Sequence, residues 1–158
     1  MTYNHYEYSA YIAAHLKGIN DYMCSVGDED PSEVDNRLSR MKGPVLIAVD
    51  NYEADGSFGA DEQLSCERKY ILIILDHAKG NGFDTIRTAQ NRCLELQNHI
   101  VSKLLKDFIE DENGLENLDP DSITTSPVGP FGDNMYGIKL DFTIVSPESW
   151  VYDENAWS

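Results

Sequence analysis

The stretch from Arg68 to Glu112 limits the fold most tightly: it reads as a strand, a glycine-rich turn and one long helix. The strand core, Tyr70-Ile71-Leu72-Ile73-Ile74-Leu75, does not alternate polar with apolar residues. Successive strand side chains point to opposite faces, so an unbroken apolar run calls for cover on both. The helix that follows carries Ile86, Ala89, Cys93, Leu96, Ile100, Leu104 and Phe108 at helical spacing, with Leu94, Val101 and Leu105 widening the stripe. Lys79-Gly80-Asn81-Gly82 forms the turn into it, with Asp84 as its N-cap and Gly114 just beyond its end. At about 1.5 Å per residue it is about 40 Å long, enough to cover one sheet face. A chain of 158 residues has few other helices, so the second cover is expected from the N-terminal helix around Tyr8–Ile19 or, if that helix packs on the same side, from another subunit.

Upstream, Tyr8, Tyr11, Ile12, His15, Leu16 and Ile19 share one face of a helix expected from Tyr6 to Tyr22. Val26 to Asp30 reads as loop, followed by a short helix capped by Asp30 with Pro31 in its first position and ended by Gly43-Pro44. Val45 to Val49 is a second buried strand. Asn51 to Gln63 is a polar loop or hairpin tip with Asp55-Gly56 as its tight turn, and Leu64 to Asp76 returns as a long strand. After the main helix, Leu115 to Asp121 is an acidic connection, Ser122 to Val128 a strand, and Gly129 to Asn134 a loop. In the last strand, Tyr136 to Ser146, Ile138, Leu140, Phe142 and Ile144 alternate with Lys139, Asp141, Thr143 and Val145. The expected fold is α+β: an antiparallel or mixed sheet of about four strands, packed by one long helix, with an N-terminal amphipathic helix. One domain spans residues 1–147, and residues 148–158 form an aromatic, acidic arm.

The net charge is −16. Nucleic-acid phosphates are bound by clustered Lys and Arg, so direct binding to them is not expected. From Asp107 onward there are twelve acidic residues and one base, Lys139, while most bases lie earlier, among them Arg37, Arg40 and Lys42. A split of this kind suits head-to-tail association between copies of one subunit. The three cysteines, Cys24, Cys66 and Cys93, form no CxxC pair and read as reduced thiols. No apolar run approaches the length of a membrane span, and the first residues do not read as a signal peptide, so the protein is expected in the cytosol unless released by lysis.

No catalytic constellation stands out, and no cofactor motif. His5, His15, His77 and His99 form no HxxxH pattern, and no serine sits in a nucleophile elbow. Asp76-His77 could orient an imidazole, but no partner nucleophile is evident, and a surface histidine at a strand end is the favoured reading. Gly80-Asn81-Gly82 lacks the third glycine of a dinucleotide fingerprint, because Thr85 stands there, and reads as a helix-entry turn. The segment 51–62 nearly matches a calcium loop. Asn51, Glu53 and Asp55 hold the first, third and fifth places, Gly56 the sixth and Glu62 the twelfth. Asn51 replaces the usual Asp, and the preceding residues form a strand; a solvated acidic hairpin loop is the competing reading. Calcium binding through Asn51, Glu53, Asp55 and Glu62 is therefore the alternative function. Tyr8, Tyr11, Tyr52, Phe58, Trp150, Tyr152 and Trp157 are the candidate interface residues, because aromatic side chains anchor interfaces at low entropic cost.

The order helix, short helix, strand, projecting loop, strand, long helix, strand, strand resembles the tail-terminator and head–tail connector (neck) proteins of tailed phages. Tyr8–Ile19, Pro44–Leu75, Phe83–Phe108 and Tyr136–Val145 carry the likeness. The resemblance implies a non-enzymatic virion protein, assembled in the host cytoplasm into a ring of identical subunits that meets other neck or tail proteins. DNA would pass through the lumen without being bound specifically, and an acidic lumen would repel its phosphates. It implies no catalytic, cofactor or metal residues.

Overall fold

The computed structural model describes residues 2–27, 31–50, 52–58, 64–146 and 152–158. The expected architecture holds at the level of class: α+β, with a mixed sheet and one long helix. The sheet has six strands, not about four. The two additional ones come from segments whose sequence does not advertise a strand.

The first helix, α1, spans His5–His15, with Asn4 as N-cap accepting from the Glu7 N–H. It stops well before Tyr22, because Leu16 turns extended and Gly18 adopts φ +106°. The chain then enters strand β1, Asp21–Val26, followed by helix α2, Pro31–Leu38, and strand β2, Val45–Asp50. β1 and β2 pair in parallel, Asp21 opposite Val45 and Val26 opposite Asp50. Parallel neighbours need a crossover, and α2 provides it. The expected cap, Asp30, lies outside the described residues.

Asp55-Gly56 does not make the tight turn expected of it. Ala54–Phe58 is a strand, β3, antiparallel to β4, Leu64–His77, with Asp55 opposite Glu67 and Gly56 opposite Cys66. β2 and β3 therefore lie in succession along one edge of β4, with Val49–Ile71 the last β2 pair and Ala54–Arg68 the first of β3.

Helix α3, Phe83–Ile109, has Gly82 as its N-cap with no side-chain cap, so Asp84 stands inside the first turn. There its carboxylate still faces the positive end of the helix dipole. Thr85 closes the entry turn instead, its hydroxyl lying 3.1 Å from the Gly80 carbonyl oxygen and 2.9 Å from that of Gly82. Gly114 follows the helix at φ +77°, where a Cβ would collide with the Tyr3 backbone. A short 3-10 turn, Leu115–Asn117, leads into β5, Leu118–Phe131, which takes up most of the expected connection and part of the expected Gly129–Asn134 loop. β6, Met135–Ser146, completes the order β1-β2-β4-β6-β5. Pro120, Pro127 and Pro130 interrupt the outer edge of β5, which discourages pairing with a further strand.

Both α1 and α3 pack on one face of the sheet, over Leu46, Leu72, Ile74, Leu140 and Phe142. The N-terminal helix therefore does not supply the second cover. Part of that cover comes from α2, whose Leu38 is fully buried against Val45, Ile47 and Leu75 with Met23 and Met135. Further along β4, Ile71 and Ile73 are only half-buried. Across β6 the second face turns polar, with Lys139 and Asp141 on it.

Candidate functional site

Two places combine shape with unfinished chemistry. The first is an apolar cleft of about 390 Å³ on the second sheet face. Ile47, Val49, Ile73 and Leu75 line it from the sheet, Val34 and Leu38 from α2, and Phe131 from the end of β5. It exists because α2 covers the Leu75 end of the strands and leaves the Ile71–Ile73 stretch under-covered. Asp35, which lines the same cleft, accepts the Gly132 N–H at 3.0 Å and so ties α2 to the β5–β6 turn.

The second is a buried carboxylate at the C-terminal end of α3. Asp107 falls on the apolar stripe, three residues after Leu104, and is fully buried. Its Oδ2 accepts from the Tyr8 hydroxyl at 2.6 Å, Lys103 Nζ at 2.9 Å and Asn113 Nδ2 at 3.2 Å. Its Oδ1 is buried with no hydrogen-bond partner among the described residues. Burial alone would raise the Asp107 pKa, but the hydrogen bonds from Tyr8, Lys103 and Asn113 outweigh it and hold the carboxyl below its ordinary value. The Tyr8 hydroxyl moves the opposite way, pushed far up by burial and by this carboxylate. Lys103 also lies over the rings of Tyr8 and Tyr11, at 5.4 and 5.2 Å from their centroids. A polar cleft of about 490 Å³ opens beside the cluster, lined by Asn4, Glu7, Tyr8, Asp107, Glu112 and Asn113 among others.

The residues singled out from the sequence are scattered. Tyr8 is buried on Asp107 and offers no surface for an interface. Tyr11 and Tyr52 are exposed, Tyr11 being stacked on His15 with ring centroids 4.1 Å apart. Phe58 ends β3 opposite Leu64. Tyr152 and Trp157 stack on each other, at 68% and 69% exposure, around a short 3-10 turn at Glu154–Ala156. Trp150 lies outside the described residues. So do Asn51 and Glu62 of the calcium-loop alternative; its other two ligands, Glu53 and Asp55, stand 3.6 and 3.4 Å from Lys69 Nζ. The backbone from Ala54 to Phe58 is extended, so the turn on which such a loop converges is not formed there.

Asp76 does not orient His77. Its carboxylate ion-pairs with Arg92 and accepts the His77 backbone N–H, while the imidazole nitrogens face the carbonyls of Asp133 and Met41. Gly80-Asn81-Gly82 serves as the helix entry: Asn134 Nδ2 donates to the Gly80 carbonyl at 3.0 Å. Among the three cysteines, Cys66 and Cys93 are buried and Cys24 is exposed, and all are free thiols. Burial pushes the Cys93 thiol up to about 12, which keeps it inert.

No family model matches the sequence, and neither does any curated protein. No helix among the described residues is long and apolar enough to cross a membrane.

The sequence reading missed both places for physical reasons. The cleft depends on which face α2 takes, which is a long-range outcome. Asp107 left a fainter signal. In a stripe running through Cys93, Leu96, Ile100 and Leu104, a carboxylate at the next inward position calls for a buried partner, and a tyrosine-rich first helix offers one.

Proposed function

We propose that the chain is a structural virion protein of a tailed phage, a ring-forming subunit of the tail-terminator or head–tail connector kind. The observation that carries the reading is the half-covered second face of the sheet. Among the described residues, both large helices lie on the other face, α2 closes only one end, and the apolar cleft over Ile73 and Val49 is open. An apolar face of this kind in an otherwise strongly charged chain favours burial against a second copy.

Two further features support the assignment. Among the described residues, the paired β3 and β4 extend by Ser65 and Leu64 beyond Cys66, which pairs with Ser146 at the end of β6. This end of the sheet is suited to contact with an adjoining ring. The C-terminal arm carries Tyr152 and Trp157 exposed, as an anchor for a neighbour would. A net charge of −16 would let DNA slide through the ring lumen by repelling its phosphates. No chemical step is required of any residue in this role. Native mass spectrometry of the purified chain at tens of micromolar is the test. A closed oligomer of one stoichiometry is expected, and a strict monomer at every concentration would overturn the reading.

A further inference from the structure

The C-terminal end of α3 gathers more carboxylates than its lysines neutralise. Asp107, Glu110 and Glu112 each offer an oxygen within 4.8 Å of the other two. Lys103 stands against Asp107 and Lys106 against Glu110, each at 2.9 Å. That leaves Glu112 without a cationic partner among the described residues, and Glu7 lines the same cleft. Like charges this close repel, and the repulsion grows as the site is drawn out of water.

A second observation is independent of that crowding. Among the described residues, the three donors to Asp107 converge on Oδ2, while Oδ1 is buried and receives none. A buried carboxylate oxygen without a donor carries an uncompensated desolvation cost. The neighbouring carboxylates cannot relieve it, because they only accept. A cation entering from the polar cleft can. Besides Lys103 and Lys106, which pair with Asp107 and Glu110, the polar groups around that cleft are hard oxygen donors: carboxylates, the Asn4 and Asn113 amides, and hydroxyls, with no histidine or cysteine among them. Such a set selects calcium or magnesium over zinc or copper. The carbonyl end of the α3 dipole adds further negative potential at the same point.

We infer that Asp107, Glu110 and Glu112 bind a hard divalent cation of the calcium or magnesium class at the end of α3. Asp107 is the buried ligand through its free oxygen, and Glu110 and Glu112 close the site from the solvent side. The ion would pin three segments together: the α3 terminus, the turn at Glu112–Gly114, and α1 through Tyr8. This site is separate from the 51–62 loop and does not depend on ring formation.

The test is thermal unfolding of the full chain after exhaustive chelation, titrated to about 10 mM with calcium chloride, with magnesium chloride, and with sodium chloride at matched ionic strength. At tenfold excess over Kd the unfolding equilibrium constant falls about elevenfold, which corresponds to a Tm rise of about 3 to 6 °C. The rise is expected with at least one divalent salt and not with sodium chloride. Glu110→Gln with Glu112→Gln, both at exposed positions, should abolish it while leaving the chelated protein folded. Glu53→Gln with Asp55→Asn should leave it intact. A rise equalled by sodium chloride, kept by the Glu110/Glu112 variant, or lost in the Glu53/Asp55 variant would overturn the assignment, as would no rise at all.

Discussion

His5 shows how far a single side chain can be set by its neighbours. It is buried, with Nε2 2.8 Å from the Ile71 carbonyl oxygen and Nδ1 2.7 Å from the Tyr3 hydroxyl. A carbonyl only accepts, so Nε2 carries the proton and Nδ1 accepts from Tyr3. The residue sits where the ladder along β4 passes from β2 to β3. Burial lowers its pKa below 6.5; the hydrogen bond to Ile71 acts the other way without prevailing. Below pH 6.5 the unfolded chain then takes up a proton that the folded chain does not, so stability falls as the pH drops from 6.5 toward the folded pKa. Asp107 contributes in a lower window. Its folded pKa is depressed, so its stabilisation is present above 3.8 and is lost as the pH falls through the folded value. The urea midpoint should therefore decline in two limbs on acidification. His5→Gln should lower the midpoint at pH 7 and remove the first limb while keeping the second. An unchanged first limb in that variant would assign it to a different group. Neither environment shows locally in the sequence, since each is assembled from partners far along the chain: 66 residues for His5 with Ile71, and 99 for Tyr8 with Asp107.

Among the elements, legibility followed the length of the periodic signal. α3, β4 and β6 were readable nearly to their ends, because each carries its pattern over many residues. The first helix was overextended because Ile19 and Tyr22 happen to continue its phase, and only Gly18 with its left-handed backbone breaks it. β1 and β3 were missed because their own sequences, Asp-Tyr-Met-Cys-Ser-Val and Ala-Asp-Gly-Ser-Phe, have little strand character. They are strands because β2 and β4 offer them edges to pair with. The most demanding position in the sheet is Gly137 of β6, opposite Leu75. A Cβ there would overlap the Ile74 carbonyl, so β4 and β6 approach as closely as they do only because this residue has no side chain. Gly137→Ala must push the strands apart within their longest ladder. The expected cost is about 2 to 4 kcal/mol in chemical denaturation. A loss under about 0.5 kcal/mol, the scatter of neutral substitutions, would mean that the ladder yields there freely.

For the whole molecule, two forces could hold copies together, and they respond oppositely to simple perturbations. Complementary charge between the acidic C-terminal third and the more basic earlier part is screened over about 10 Å at 0.1 M salt, so an assembly built on it should dissociate as salt rises. Burial of the apolar cleft is not weakened by salt, and removing one isoleucine-sized side chain from water contributes about 1.5 to 3 kcal/mol per copy. The open cleft favours the second force as the main one, with charge setting orientation. Ile73 is the residue that separates them. It is half-buried on the cleft floor, and its register partner on β6 is Lys139. In Ile73→Glu that lysine can pair with the new carboxylate, so the isolated chain should keep its fold, as checked by its circular dichroism spectrum. Two copies could no longer bury the cleft without desolvating a charge. If the chain assembles as proposed, the oligomer should therefore persist at 0.5 M sodium chloride by about the same measure as at low salt, while the folded variant should run as a monomer at the same concentration. A variant that assembles like the parent, together with a parent that dissociates in salt, would shift the contact from the cleft to the charged surfaces.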